Sequence, residues 1–440
     1  DNAACARFEL QQEQCAEFIL GAVDDPRFQA DNSDLCLQRT LKFWRDWIAR
    51  STYRGRWREM VNRSALALKL LTSRKHGAIL AAATFGLPET PGGIRNWDYR
   101  YTWIRDASFT VYAFMRLGFV DEANAYMRWL RGRVSDCQGH SMKLNILYAI
   151  DGRQELPEQA LEHLSGHGNA RPVRIGNQAY DQVQLDIYGE LMDAVYLVNK
   201  YGEAISHEGW KHAVEVVDQV CATWQQKDVG IWEMRGEQHH FLHSRLMCWV
   251  ALDRAIRLAS KRSLPAPFAR WDQTRQAIYA DIWSNFWNEE RGHFVQHIGS
   301  TALDGSMLLM PLMRFVSARD PRWLSTLEAI QKSLVRDGMV YRYHNDDSQI
   351  DGLSGTEGAF VACSFWYVEC LARAGQLEKA HLEFEQLLRY ANPLGLYAEE
   401  FDSHARHLGN TPQALSHLAL ISAACFLDRK LSGDDGFWQP

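Results

Sequence analysis

The stretch RLGFVDEA, residues 116–123, ends an apolar run at Gly118 and opens an acidic turn at Asp121 and Glu122. The same punctuation returns in KYGEAISH (200–207) and RAGQLEKA (373–380), at Gly202 and Gly375. Glycine supplies the left-handed residue that closes a helix, and carboxylates suit the positive N-terminal end of the next. Each stretch therefore predicts a helical hairpin. The second gap between these glycines is close to twice the first. That spacing is compatible with a repeat of hairpins, as in helical toroids and solenoids, and equally with ordinary helix–turn–helix connections.

Outward from these turns, helical periodicity dominates. RTLKFWRDWIARS (39–51) carries its apolar residues on one stripe, and the later half of WREMVNRSALALKLLTS (57–73) is apolar nearly all round. Further helices are predicted over 104–117, 121–132, 182–200, 208–224, 239–260, 266–283, 305–318, 322–335, 358–374, 376–390 and 411–428. The chain is predominantly α, with little room for a large sheet. Only the start differs: FELQQEQCAEFILG (8–21) reads as two short strands about a polar turn. A hairpin does not stand alone. Residues 1–22 are therefore expected to be the terminal strands of a β module, 23–60 a linker and connecting helix, and 61–440 the helical domain.

Bulk composition excludes several classes. The 440 residues suffice for a sizeable core, and 46% hydrophobic with 23% charged residues is ordinary for a folded chain. A net charge of -6 gives no basic footprint for nucleic acid. No run reaches the roughly eighteen apolar residues of a membrane helix. The first residues lack a basic-then-apolar signal pattern, so a cytoplasmic location is expected. Nine cysteines without a CxxC pair, five of them in helix-like text, read as reduced thiols. The 16 tryptophans beside 16 tyrosines suit flat, hydroxyl-rich ligands such as sugars as well as a core.

The densest chemistry lies in NWDYRYTWIRD (96–106), just before the first glycine-closed run. Trp97, Tyr99, Tyr101 and Trp103 alternate with polar residues, and Arg105 and Asp106 follow at the mouth of the helix. Alternation places the four rings on one side of an extended approach. Taken alone, Arg105–Asp106 is equally an interior ion pair. Glycosidic hydrolysis needs a carboxylic acid for the leaving oxygen and a second carboxylate for water or direct attack. Two glycine-bearing loops beside aromatics offer them. DVGIWEMRG (228–236) places Glu233 after Trp232, an apolar neighbour suited to a general acid, and PLGLYAEEFDSH (393–404) offers Glu399 and Glu400.

Taken in order, GGIRNWDYRYTWIRDASFT, QVQLDIYGE, GIWEMRG, VYRY, and LYAEEFD with GNTPQALSHLALI resemble glycoside hydrolase family 15. This is the glucoamylase group, with bacterial relatives acting on trehalose, isomaltose and dextran. The resemblance runs from about residue 40 to 430. It implies an (α/α)6 barrel and an inverting mechanism without metal or organic cofactor. It also implies Glu233 as general acid and Glu399 as general base, with Glu400 as a structural or water-holding neighbour in the substrate site. Arg105, Asp106 and Arg342 of VYRY match residues that hold the terminal glucose. Tyr99, Trp103 and Trp232 would wall the first subsite, Tyr180 would stand where some members have tryptophan, and Asp186 lies in a matching motif. The implied partner is a small α-glucoside or α-glucan.

Two departures bear on substrate. Only the last strands of an upstream β-sandwich are expected here. Near the acid, Gly230 and Met234 replace acidic residues frequent in glucoamylases, which favours a short α-glucoside such as trehalose or isomaltose. A non-catalytic sugar-binding protein on the same barrel is the alternative, opposed by the presence of both glutamates. A terpene-type helical cyclase is opposed by HNDDSQID (344–351), whose spacing is DDxxxD rather than DDxxD. HFLH (240–243) and HARH (404–407) lack a carboxylate at metal-ligand spacing.

Overall fold

A computed structural model of the chain describes residues 5–18, 33–135, 144–344 and 351–433. The chain divides into two compact units, Asp1–Arg50 and Ser51–Pro440. In the first, residues 5–18 run through a turn closed by the Gln14 N–H on the Gln11 carbonyl (3.0 Å), with the rings of Phe8 and Phe18 5.3 Å apart. No paired strand forms among these described residues, and 19–21 of the expected hairpin lie outside the described residues. Helix α1, Ser33–Ala49, completes this unit.

The second unit alternates between two kinds of helix. One kind buries a single face: α2 (Arg58–Leu71), α4 (Val120–Ser135), α6 (His207–Thr223), α8 (Phe268–Asn285), α10 (Pro321–Leu334) and α12 (Leu377–Arg389). Thus α12 buries Ala380, Phe384 and Leu387 while Leu382 stays exposed. The other kind is α3 (Ala107–Arg116), α5 (Asp186–Tyr201), α7 (Leu242–Arg262), the short α9 (Leu309–Leu312), α11 (Val361–Arg373) and α13 (Ala414–Leu431). In α7 every residue from Leu242 to Ala255 is buried. A helix surrounded on all sides is an inner one, and a one-faced helix an outer one.

The contacts close a ring. Helix α3 packs on α5, α5 on α7, α7 on the turn Gly305–Leu308 before α9, α9 on α11, α11 on α13, and α13 on α3. Outer helices pair with inner ones, as α2 with α13 and α12 with α11. Twelve helices so arranged are six hairpins in a toroid. Large rings join neighbouring outer helices: Trp210 of α6 meets Trp271 of α8 edge-on at 6.1 Å, each with its ring N–H bonded. Each fully buried ring of this kind contributes roughly 2–3 kcal/mol. Among the described residues no helix is long and apolar enough to cross a membrane. Cys248, Cys363, Cys370 and Cys425 are buried free thiols, as their helical setting predicts.

The three punctuated stretches are inner-to-outer turns, but they close differently. Gly118 and Gly375 are left-handed, at φ 86° and 89°. Gly202 instead sits at φ −127°, outside the left-handed region, and a Cβ there would lie 2.7 Å from the flexible tip of Met115. Five inner helices start three or four residues later than apolar text predicts, because the chain leading into them is also buried. The helix expected over 305–318 shrinks to a 3-10 turn and α9, since Pro311 lacks the N–H that a longer helix would use. Inner-to-outer turns are short and gather at one end. The long outer-to-inner connections gather at the other, where they build a cavity.

Candidate active site

The approach 96–106 is extended and hydrogen-bonded along one edge: Ala81 and Ala82 N–H groups bond to the Tyr101 and Tyr99 carbonyls (2.8 and 3.0 Å). Thr102–Trp103 then pairs antiparallel with Leu147–Tyr148. The alternation expected of such a strand is observed in part. Trp97, Tyr99 and Trp103 line a cavity of about 820 Å3, mouth included, whereas Tyr101 packs beside it. Asp98 points away, clamped to Arg100 at 2.9 and 2.8 Å.

Arg105 and Asp106 lie on the cavity wall where α3 begins. Asp106 is buried at the helix cap position, yet its carboxylate makes no capping bond and accepts instead from Arg105 Nε at 3.2 Å. Burial raises its pKa, against the pull of Arg105. Arg105 Nη1 reaches the Ile231 carbonyl (2.9 Å) and Glu233 Oε1 (3.1 Å). Thus the clamp expected from the sequence is tied directly to one candidate carboxylate.

Glu233 lies on the wall in the loop between α6 and α7. Asp228 anchors that loop by accepting from the Leu185 N–H (2.9 Å) and the Ser244 hydroxyl (2.7 Å). The loop holds Glu233 at φ 59°, a left-handed conformation costing an L-residue about 1–2 kcal/mol. Its Oε1 accepts from Trp103 Nε1 at 2.6 Å. The neighbouring Trp232 is turned elsewhere: its ring N–H bonds to both oxygens of Asp304 at 3.0 Å, and Gln296 and the Ser306 N–H hold that carboxylate. Trp232 still walls the cavity, but the ring bonded to Glu233 is Trp103.

Glu399 lies on the same wall with 2% exposure. Oε1 accepts from the Tyr99 hydroxyl at 2.7 Å, and Oε2 is buried without a partner among the described residues. Burial, and next the Glu89 carboxylate, push its pKa up to about 8, against Arg342 and the Tyr99 bond. Tyr99 and Trp103 meet edge to face with ring centroids 5.4 Å apart. Glu233 and Glu399 are therefore joined through an aromatic pair, one carboxylate at either end. Arg342 is buried on the wall and grips Glu357 through Nε (2.9 Å) and Nη2 (2.6 Å). Its Nη1 makes no hydrogen bond among the described residues and is available to a ligand.

A model of the glycosyl hydrolases family 15 matches residues 55–425. The chain belongs to that family. The trehalase of Mycolicibacterium smegmatis is 44% identical over 393 residues, covering 89% of this chain and 58% of its own. That of Mycobacterium tuberculosis is 43% identical over 406 residues, covering 91% and 59%. The chain thus spans less than two thirds of these relatives' length. A bacterial glucoamylase solved with acarbose aligns at a TM-score of 0.67 and 15% identity over 91% of this chain and 60% of that one. At that identity the likeness bears on the fold, the (α/α)6 barrel described above.

Three residues that the family resemblance assigns to the substrate site are not on the wall of this family 15 barrel. Glu400 opens the short strand Glu400–Phe401, whereas Glu399 lies in the bend just before it. It is fully buried behind the wall, accepting from Arg342 Nη2 (3.2 Å) and the Gly358 N–H (2.7 Å). Tyr180 sits in a 3-10 turn whose neighbours Ala179 and Gln182 face the cavity, and it packs against the cluster holding Trp103. Asp186 opens α5 and is fully buried, 3.5 Å from His243 Nδ1.

Sequence reasoning missed Glu89, Arg95 and Asp351 on the cavity wall and Glu357 behind it. Arg95 Nη1 bonds to Asp351 (2.5 Å) and Glu357 (3.2 Å), and Glu89 accepts from Trp97 Nε1 (2.8 Å). Glu89, Glu357 and Glu400 bring carboxylate oxygens within 4.8 Å of one another, the geometry of a cation site. The resident cation is Arg342, whose Nη2 lies 2.6, 3.2 and 3.8 Å from Glu357, Glu400 and Glu89. Burial, then Glu357, outweigh Arg342 and lift Glu89 to about 7, and burial with Glu89 lifts Glu400 well above the carboxylate range. LPETPGG and LSGTEGAF contain Glu89 and Glu357 between glycines, so the rule that selected Glu233 applies to them too. Of HNDDSQID, residues 345–350 lie outside the described residues, and Asp351 pairs with Arg95.

Proposed function

We propose that this family 15 barrel is an inverting, exo-acting α-glucoside hydrolase with trehalose as its substrate. The observation that carries the reading is one cavity with Glu233 and Glu399 on its wall, separated by the Trp103–Tyr99 pair and flanked by Arg105 and Asp106. Relatives named as trehalases at 44% and 43% identity support the choice of substrate.

In the proposed reaction Arg105, Asp106 and the free Nη1 of Arg342 hold the hydroxyls of one glucose. Glu233 gives its proton to the bridging oxygen as the bond from that oxygen to C1 breaks. Glu399 takes a proton from a water whose oxygen bonds to C1 on the opposite ring face. A raised pKa makes Glu399 a stronger base once ionised. Each trehalose then yields one β-glucose, from the attacked ring, and one α-glucose, from the leaving ring.

Proton NMR during the first turnovers tests this. Equal α- and β-glucose is the expected signal, and α-glucose alone would show retention and refute the scheme. Glu233→Gln and Glu399→Gln should each lose roughly a thousandfold or more in kcat while trehalose still binds. Activity on isomaltose, maltose, kojibiose, nigerose or starch exceeding that on trehalose would overturn the substrate assignment.

A further inference from the structure

The inner helices line a second cavity of about 710 Å3, mouth included, that shares no residue with the first. All six inner segments contribute to its wall, among them Phe109 and Tyr112 of α3, Tyr196 of α5 and Ser422 of α13. Its charged lining is four guanidinium groups, Arg254, Arg257, Arg314 and Arg373, against two carboxylates, Asp193 and Glu369. The chain as a whole carries a net charge of -6, so a basic basin is not a reflection of its composition.

Two of these arginines are committed. Arg254 bonds to Asp193 (2.5 Å), Asp253 (2.7 Å) and the Met313 carbonyl (3.0 Å). Arg373 doubly engages one oxygen of Glu369 (2.9 and 2.5 Å), whose other oxygen accepts from Ser422 (2.7 Å). Arg257 shares Asp253 with Arg254 and Arg275, and its side chain is 52% exposed. Arg314 stands exposed in a left-handed conformation, φ 64°; its backbone N–H bonds to the Pro311 carbonyl (3.2 Å), but its guanidinium makes no ion pair or hydrogen bond among the described residues.

Cations at helix C-termini commonly offset the macrodipole. That accounts for Arg373, in the last turn of α11. It does not account for Arg314, which follows a helix of only 4 residues. Partial desolvation, then the like charges of Arg373 and Arg254, lower the pKa of Arg314. Lys200 nearby is lowered by burial and then by Arg314 itself. The fold thus holds Arg314 beside three other guanidinium groups that are each paired with carboxylates, at a left-handed position and without an ion pair of its own among the described residues.

We infer that this basin is a binding site for a phosphate group, engaged by Arg314 and Arg257 at the rim above Arg373 and Arg254. Guanidinium forks match tetrahedral oxyanions by paired, charge-assisted hydrogen bonds. The aromatic wall of Phe109, Tyr112 and Tyr196 leaves room for a small organic body attached to that group. Free phosphate and a phosphorylated monosaccharide share this chemistry.

Isothermal titration of the full chain tests it, with sodium phosphate against sodium chloride at matched ionic strength and glucose 6-phosphate against glucose. Saturable phosphate binding is expected, weakened roughly tenfold or more in Arg314→Gly, which removes the charge and also relieves the backbone. Arg257→Gln, at an exposed position, should weaken it as well, and both variants should keep basal hydrolysis. Tighter binding of glucose 6-phosphate than of phosphate would support a phosphorylated sugar, and equal binding the free ion. Absence of saturable binding, chloride matching phosphate, or undiminished affinity in both variants would overturn the assignment.

Discussion

Gly409 is the most exacting test of how Glu399, the proposed base, is held. It lies in GNTPQALSH at φ 72°, and a Cβ built there falls 2.8 Å from Glu399 Oε2 and 3.0 Å from Glu399 Cβ. Carbon–oxygen contacts settle near 3.3 Å or beyond, so Gly409→Ala requires the carboxylate to retreat by roughly 0.5 Å. That movement strains the 2.7 Å bond from Tyr99, which anchors the other oxygen. Displacements of about 1 Å at a catalytic group cost on the order of a hundredfold in rate, so a loss in kcat of roughly tenfold or more is expected. The backbone adds about 1 kcal/mol of left-handed strain. Gly299→Ala supplies the control: φ there is 84°, with nothing within 4 Å of the added carbon. Both variants should lose comparable stability in thermal melts from strain, Gly409→Ala somewhat more from the contact. Only Gly409→Ala should lose kcat on trehalose. Equal kcat in the two variants, at or near wild type, would refute the account of Glu399.

Two further outcomes follow from the buried carboxylates. Glu89→Gln removes the charge that, after burial, does most to raise Glu399. The acid limb of kcat/KM, which reports ionisation of the base, should therefore move to lower pH by roughly one pH unit, and an unmoved limb would remove Glu89 from the tuning of the site. Folded-state pKa values of about 7 for Glu89 and about 8 for Glu399 also set a stability window. The native state binds more protons than the unfolded chain between the ordinary glutamate pKa and those values, so stability is full below that window and falls as pH rises through it. Denaturant melts should show stability falling from pH 5 to pH 8, and a flat or rising profile would contradict it.

Local rules carried far along this chain. Helical periodicity located every helix of the barrel because each inner or outer position repeats an apolar stripe over several turns, and that repetition survives any tertiary arrangement. Glycine punctuation marked the hairpins at Gly118 and Gly375 because αL geometry is a property of the backbone itself. Gly202 meets the same pattern without the left-handed geometry, a difference that no local rule contains. Glu233 and Glu399 were found from loops rich in glycine and aromatics, and family order supplied their roles.

By itself, then, the sequence determined the helical class, the hairpin units and the identity of the residues that could act on a glycosidic bond. Tertiary structure alone decided which way those residues face. Glu399 and Glu400 are adjacent and chemically identical, yet Glu399 lies in a bend on the cavity wall, while pairing of the following strand with Phe360 and Leu408 holds Glu400 behind it against Arg342. Glu89 and Arg95 join Asp351 and Glu357 from more than two hundred residues away, and Trp103 meets Glu233 across the ring. The physical reason is the same in each case. Periodicity and capping act within a few residues, whereas orientation, burial and charge coupling depend on neighbours that only closure of the barrel brings together.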